Sequence, residues 1–321
     1  MGKSAKPVVG IDLGGTNIQI GVVTPEFKIV GRSRKKTKAD EGRDAVLTRL
    51  AEGIKEACSE AGLALSALGG IGLAAPGAID PRKGLVLEAV NLRWTNQPVA
   101  KQLSDRLAGL PVLLDNDVNA AVLGENRLGA GDNAQHLLGV WLGTGIGGGL
   151  ILNGALYYGH YFSAGEIGHT ILYPGSPPGS RSLEHNCSRT AVADRLARLI
   201  RSNRKSILTD LSEGDLDKIR SKAISKAYES GDDLTVEIIH NAADLLGIAV
   251  ANAVTLLSLP RVVLGGGLTE AIGEPLVKRV RQSFEKHVFP DACRDAKIVA
   301  SKLEDDAGLL GAAILAAEQF G

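Results

Sequence analysis

The chain has 321 residues, of which 40 are glycine and only twelve aromatic. Glycine at this density without a three-residue period excludes a collagen-like fibre, and a 44% hydrophobic content excludes a disordered chain. Thirty-six basic and 36 acidic side chains cancel, so no net field draws the chain to nucleic acid or an anionic membrane, and the length suits roughly two domains.

The N-terminal MGKSAKPVVG has no apolar run ahead of its first strand, so no signal-peptide pattern is expected, and Lys6 breaks a myristoylation pattern. Residues 8–23 then read as a hairpin, VVGIDL and IQIGVV around GGTN. The polar run RSRKKTKADEGR (32–43) reads as a solvated crossing loop. Helical spacing of Val46, Leu50, Ile54 and Ala57 predicts a helix over 45–61, stopped by Gly62. GGIGLAAPGAID (69–80) is a strand ending in a turn, residues 99–107 a helix, and PVLL a short strand. DNDVNAAVLGE (115–125) passes from strand end into a helix with Asp or Asn as cap.

A second glycine hairpin follows over 136–158, LLGVWLG and LILNGALYY around TGIGGG. Residues 137–165 carry no charge, but their glycines and turn signals suit buried strands better than a membrane span. Helices dominate 189–259, with a polar break at SEGDLD. RVVLGGG (261–267) is a strand, and the C-terminal DDAGLLGAAILAAEQF a helix whose Gly308 and Gly311 leave a smooth face. Hairpins followed by alternating helices and strands indicate an α/β protein with mixed sheets, and the two glycine hairpins suggest two related halves.

Glycines without side chains let backbone N–H groups converge on an anion. Gly14, Gly15 and Thr16, with Gly143, Thr144 and Gly145, are thus candidate phosphate cradles, and Asp12 a candidate for a metal ion or its waters. The alternative is that both clusters are merely tight hairpin turns. Gly143, Gly145 and Gly148 satisfy G-x-G-x-x-G, but the following LILNG is strand-like, whereas a dinucleotide fingerprint must open a helix. No GxxxxGK[ST] occurs.

DLGGTNI (12–18), AAPGAID (74–80), DNDVNAAVLGE (115–125), LGTGIGGGLILNG (142–154), AGEIGH (164–169) and VVLGGGL (262–268) occur in one order. In these motifs the chain resembles the repressor–open reading frame–kinase (ROK) family over essentially its whole length, and within it the glucokinase-like sugar kinases. The resemblance implies the actin-like ATPase (ribonuclease H-like) fold, with mixed β-sheets and a cleft closing on nucleotide and sugar. It implies a smaller domain of residues 1–117 plus 307–321 and a larger one of 118–306. It also implies ATP and Mg²⁺ as cofactors, a hexose substrate and a homodimer or homotetramer.

By the same resemblance Asp117 is the catalytic base, a role that suits a carboxylate facing a poorly nucleophilic sugar hydroxyl. Chemistry alone would leave Asp115 and Asp117 equal, and both would also serve as strand-end caps. The implied sugar-binding residues are Gly77, Asn116, Asp117, Glu166, His169 and Glu184, with Asn91 a weaker candidate. The nucleotide residues are Asp12, Gly14, Gly15, Thr16, Gly143, Thr144, Gly145, Gly265, Gly266 and Gly267, with Asp12 meeting Mg²⁺ through water. Taken alone, His169 suits a structural histidine equally well.

One motif departs from the family. Where many members carry a zinc-binding C-x-C-G-x-x-G-C-x-E loop, this chain has GSPPGSRSLE (175–184), with Gly175, Pro177 and Ser182 at the cysteine positions. One remaining thiol, Cys187, and one imidazole cannot complete a tetrahedral site, so no structural zinc is expected. The three dispersed cysteines, Cys58, Cys187 and Cys293, fit a reducing, cytoplasmic setting.

The function expected is phosphoryl transfer from ATP to a hexose, glucose first. Mannose, fructose, allose, N-acetylglucosamine and N-acetylmannosamine are alternative substrates, and polyphosphate an alternative donor. A sugar-responsive repressor would need an N-terminal helix-turn-helix, whereas seven residues precede the first strand. A silent sugar-binding protein is disfavoured by the intact Asp12 and Asp117.

Overall fold

The computed structural model describes residues 5–321, so the first four residues of the N-terminal segment lie outside it. The expected hairpin forms from β1 (Val8–Leu13) and β2 (Asn17–Val23), paired antiparallel from Val8↔Val23 to Leu13↔Ile18. The run expected to be a solvated loop instead supplies an edge strand, β3 (Ile29–Lys36). Its alternation explains the disguise. Arg32, Arg34 and Lys36 face solvent, while Ser33 and Lys35 bond Glu56. Charged edge strands resist pairing with other chains.

Helix α1 (Arg43–Glu60) buries Val46, Leu50, Ile54 and Ala57 on one side of this sheet. The chain continues through β4 (Ile71–Ala75) and a small three-stranded antiparallel sheet of β5 (Ala78–Asp80), β6 (Leu85–Ala89) and β7 (Trp94–Gln97). Then come α2 (Val99–Arg106), β8 (Val112–Asn116) and α3 (Asp117–Leu128). The main sheet runs β3-β2-β1-β4-β8, with β1, β4 and β8 parallel.

The second sheet repeats that plan. It begins with β9 (Leu137–Leu142), β10 (Ile146–Leu152) and β11 (Ala155–Leu156). Next are α4 (Leu183–Cys187), α5 (Arg189–Arg201), α6 (Leu208–Leu211), α7 (Ser221–Glu229) and α8 (Asp233–Leu257). The chain closes this part with β12 (Arg261–Gly265), α9 (Gly267–Ile272), α10 (Glu274–His287) and β13 (Lys297–Ala300). The order β11-β10-β9-β12-β13 has two antiparallel pairs followed by two parallel ones, as in the first sheet. The likeness of the two glycine hairpins is therefore a likeness of whole sheets. Helix α8 is long and apolar enough to cross a membrane by length and composition, but Leu234, Ile238, Leu246, Val250 and Val254 are buried against protein.

The C-terminal α11 (Ala307–Phe320) packs on β1, β4 and α3. It sits so close that a Cβ on Gly311 would lie 1.7 Å from the Ala120 carbonyl oxygen, and one on Gly72 would lie 1.8 Å from that of Ala312. Part of the glycine excess is thus spent seating this helix. Two compact units result. The first comprises the chain up to Gly129 with Tyr158–Ala164 and Asp305–Gly321, and the second comprises Ala130–Tyr157 with Gly165–Glu304. The first unit thus extends past Asp117 to include all of α3, and takes in Tyr158–Ala164 as well.

Candidate functional site

In the first unit, β8 ends where α3 begins, and this junction holds three polar side chains in fixed roles. Asn116 is the N-cap: its Oδ1 accepts from the Val118 and Asn119 N–H groups at 2.9 and 3.0 Å. Its Nδ2 donates to the Gly77 carbonyl at 3.1 Å, leaving one amide hydrogen for a ligand. Gly77 has φ +98°, and a Cβ there would lie 2.1 Å from the Glu88 carbonyl oxygen, so only glycine fits. The structure thus brings two of the positions implied for the sugar, Asn116 and the Gly77 backbone, into direct contact.

Asp117 follows as the first residue of α3, half-buried, with Oδ1 accepting from the Val118 N–H at 2.9 Å. The helix N-terminus favours an anion at that position. Asp115 has a different environment. It is 1% exposed and accepts from Asn116 N at 2.7 Å, Asn119 Nδ2 at 3.5 Å and the Tyr158 hydroxyl at 2.6 Å. Burial pushes its ionisation upward against these donors. The structure separates the two acids that chemistry alone left equal: Asp115 is locked into the scaffold, and Asp117 is the more open.

At the β1–β2 turn, Gly14 N–H donates to Asn17 O at 2.9 Å, while Gly14 O accepts from Thr37 Oγ1 at 2.6 Å. Gly15 and Thr16, with Asn91, Lys36, Lys38 and Arg93, line a pocket of about 370 Å³. Asp12 lies at the end of β1, and desolvation together with the charges of Asp117 and Asp305 lifts its carboxyl to about 7. A carboxyl crowded by two others is relieved by a hard cation. Mg²⁺ takes one or two carboxylates plus phosphate oxygens rather than a full protein cage. The donor set at Asp12 fits that description, and among the described residues no group of three or more His, Cys, Asp or Glu forms a closed metal cage.

The second unit has its own glycine turn at β9–β10, where Gly143 N–H donates to Gly145 O at 2.9 Å. Glu184, near the start of α4, accepts from the Ile146 N–H at 2.8 Å, and a Cβ on Gly145 would lie 2.2 Å from its Oε2. One glycine read as a phosphate cradle is therefore also the gap through which Glu184 reaches the turn. Glu166 and His169 flank a short 3₁₀ turn with a 3.9 Å contact between Oε2 and Nε2. Desolvation and the charge of Glu184 push Glu166 upward, and His169 opposes them. His169 keeps 69% of its side chain exposed, which leaves its ring accessible.

Arg189, the first residue of α5, was not singled out in the sequence. Its N–H donates to Gly143 O at 3.0 Å and its Nη2 to Thr144 Oγ1 at 3.0 Å. It opens a pocket of about 700 Å³ shared by α5, α7 and the segment before α7, including Thr190, Asp194 and Arg220. Ser221, also on its wall, has its hydroxyl 3.6 Å from where a Gly267 Cβ would lie, so this wall adjoins the first residue of α9. Gly265 packs on the Trp141 ring and Gly266 has φ +85°. The volume suits a nucleoside-sized ligand.

The ROK family model matches residues 8–319. The chain belongs to the ROK family. Among ROK relatives it is 34% identical over 319 residues to a glucokinase of Halalkalibacterium halodurans, covering 97% of this chain and 95% of that one. It is equally identical to a glucokinase of Thermotoga maritima over 98% of both chains. A ROK glucokinase from Streptomyces griseus, solved with glucose and AMPPNP, superposes with a TM-score of 0.84 at 30% identity. That match covers 97% of this chain and 99% of the other. The fold is accordingly the actin-like ATPase fold expected from the motifs.

The zinc of other ROK members does not fit this chain. The positions aligned with its cysteines are Gly175, Pro177 and Ser182. Cys187 is fully buried with its thiol pushed up to about 12, the opposite of what a thiolate ligand requires.

Proposed function

We propose that the chain is an ATP-dependent hexose kinase that moves the γ-phosphoryl group of ATP to the 6-hydroxyl of glucose. The observation that carries the reading is the Asp115–Asn116–Asp117 junction. It presents one half-buried carboxylate on a rigid strand-to-helix corner, in a chain similar to glucokinases over its full length. In this reading Asp117 accepts the hydroxyl proton as the sugar oxygen bonds to the γ-phosphorus. The bond from that phosphorus to the bridging β-γ oxygen breaks, and ADP leaves.

Asn116, Glu166, His169 and Glu184 recognise sugar hydroxyls, with Gly77 holding Asn116 in place. The Gly14–Thr16 and Gly143–Gly145 turns take the phosphates, and the pocket at Arg189 takes the nucleoside beside Gly265–Gly267. Asp12 would hold Mg²⁺ through water, and the ion would supply charge neutralisation on the phosphates. A homodimer or homotetramer in solution belongs to the same proposal.

The test is direct detection of sugar phosphate over a panel of glucose, mannose, fructose, allose, N-acetylglucosamine and N-acetylmannosamine, with ATP or polyphosphate as donor. Glucose with ATP should give the highest kcat/KM. Asp117→Asn should lose about 10²–10⁴-fold in kcat while still binding glucose. Preference for another sugar or for polyphosphate would overturn the specificity. A loss of only a few-fold in Asp117→Asn would overturn the base.

A further inference from the structure

The loop that departs from the family's zinc pattern is nevertheless closed at its base. Ile171 bridges Ser182 in antiparallel fashion, Leu172 and Tyr173 N–H groups donate to Arg181 O at 2.9 and 3.1 Å, and Leu183 N–H donates to Thr170 O at 3.0 Å. Two side chains tie the loop itself. The Arg181 guanidinium donates through Nε to Ser176 O across the turn. Asn186, from α4, donates its amide hydrogens to Ser180 O at 3.0 Å and Ser182 O at 2.8 Å. Ser182, 4% exposed, caps α4 and meets His185 Nδ1 at 2.8 Å.

The ends of this loop are what matter chemically. His169 immediately precedes Thr170 at one end, and Glu184 follows Leu183 at the other. Fixing Thr170 to Leu183 therefore fixes the spacing of two side chains assigned above to the sugar. A metal ion would do this by gathering ligands; here a carboxamide and a guanidinium gather carbonyl oxygens from the same segment.

We infer that Asn186 and Arg181 form a metal-free clamp that positions His169 and Glu184 for the sugar, in the place where other ROK members use zinc. Both are positioning residues, and the inference rests on the sugar-binding reading of His169 and Glu184. Asn186→Ala removes two hydrogen bonds from the clamp, and Asn186→Asp sets a carboxylate against two carbonyl oxygens, which is worse. Neither residue belongs to β9, β10 or α8, so the strand amides of β9 serve as the control for the fold.

The test has two arms on the full-length enzyme. In the first, KM for glucose should rise about five- to thirtyfold in Asn186→Ala and further in Asn186→Asp, while KM for ATP stays within about twofold. Arg181→Met should move in the same direction and Arg181→Lys less. An unchanged glucose KM, or a parallel rise in both KM values, overturns the clamp. In the second arm, amide hydrogen exchange at Leu172 and Leu183 should accelerate in Asn186→Ala with the strand amides of β9 unchanged. This arm reads the clamp even if the wild-type protein phosphorylates no sugar, so failure of the kinase reading remains distinct. Stoichiometric zinc in the purified protein, or activity lost to a zinc-selective chelator and restored by zinc but not by magnesium, would also overturn it.

Discussion

Tyr158 donates its hydroxyl to Asp115 Oδ2 at 2.6 Å, across 43 residues of chain. Tyr158 opens the seven-residue segment Tyr158–Ala164, which belongs to the first unit although β11 before it and Gly165 after it belong to the second. Within that segment the Phe162 ring has the Arg82 guanidinium over its face, its carbon 5.4 Å from the ring centroid. Asp115 is two residues before the proposed base, so a side chain on irregular backbone steadies the catalytic corner.

Tyr158→Phe should therefore lower kcat about three- to tenfold with little change in glucose KM. It should cost about 1.5–3 kcal/mol in stability, as expected for loss of a hydrogen bond to a charged group. The pH dependence has a definite sign. Burial already raises the Asp115 pKa and Tyr158 holds it down, so removing the donor raises it further and penalises the ionised form. The stability gap to wild type should widen as pH rises above the ordinary carboxylate range, measured by thermal melts.

Asp12 gives a second pH signature. Its folded-state value of about 7 stands above the ordinary 3.8, so between these the folded protein holds a proton that the unfolded chain has lost. The contribution is complete below about pH 4 and declines as pH rises toward 7. Asp12→Asn has no such titration, so its melting temperature should gain on wild type between about pH 5 and 7.5. A magnesium complex of a non-hydrolysable ATP analogue favours the ionised carboxylate and should narrow that gap. Parallel curves for the two proteins would refute the assignment.

The legible and illegible parts of the molecule differ in physical kind. Both glycine hairpins, α1, α3 and α11 announced themselves because their apolar periodicity and turn residues are local. The β3 strand did not, since an edge strand with Arg32, Arg34 and Lys36 outward has no apolar alternation to detect. The small sheet of β5–β7 was equally silent: its strands are three to five residues long. The motif positions Asp117, Asn116 and Gly77 were legible, and two of them are in hydrogen-bonding contact. Arg189 and Tyr158 were missed because each acts only through a long-range contact, with Thr144 and Asp115 respectively. A cationic residue opening a helix, and four aromatics within residues 157–162 of an aromatic-poor chain, were the available signals.

The two flanking glycines of the second turn should separate phosphate binding from packing. A Cβ on Gly143 would find its nearest neighbour, Gly145 O, at 3.9 Å, whereas one on Gly145 would lie 2.2 Å from Glu184 Oε2. Gly143→Ala should fold normally and raise KM for ATP alone. Gly145→Ala should displace Glu184, break its bond to Ile146 N–H and raise KM for glucose as well, by about tenfold. Steady-state kinetics with each substrate varied would decide. Equal effects on the two KM values in both variants would contradict the structural difference.

The seating of α11 yields the last expectation. Gly→Ala within an exposed helix stabilises by about 1 kcal/mol through propensity. At Gly311 that gain is overridden, because the new Cβ would lie 1.7 Å from Ala120 O and 2.4 Å from Ala120 C, both backbone atoms of α3. Backbone in a helix cannot yield as a side chain does, so one helix must move off the other. Overpacking of this kind costs about 1–3 kcal/mol or more, and Gly311→Ala should lower the melting temperature by several degrees. Because α3 begins with Asp117, the displacement should also reduce kcat, and by a larger factor than it changes KM for ATP. A variant with wild-type kcat and a raised melting temperature would show that α11 does not hold α3 in register.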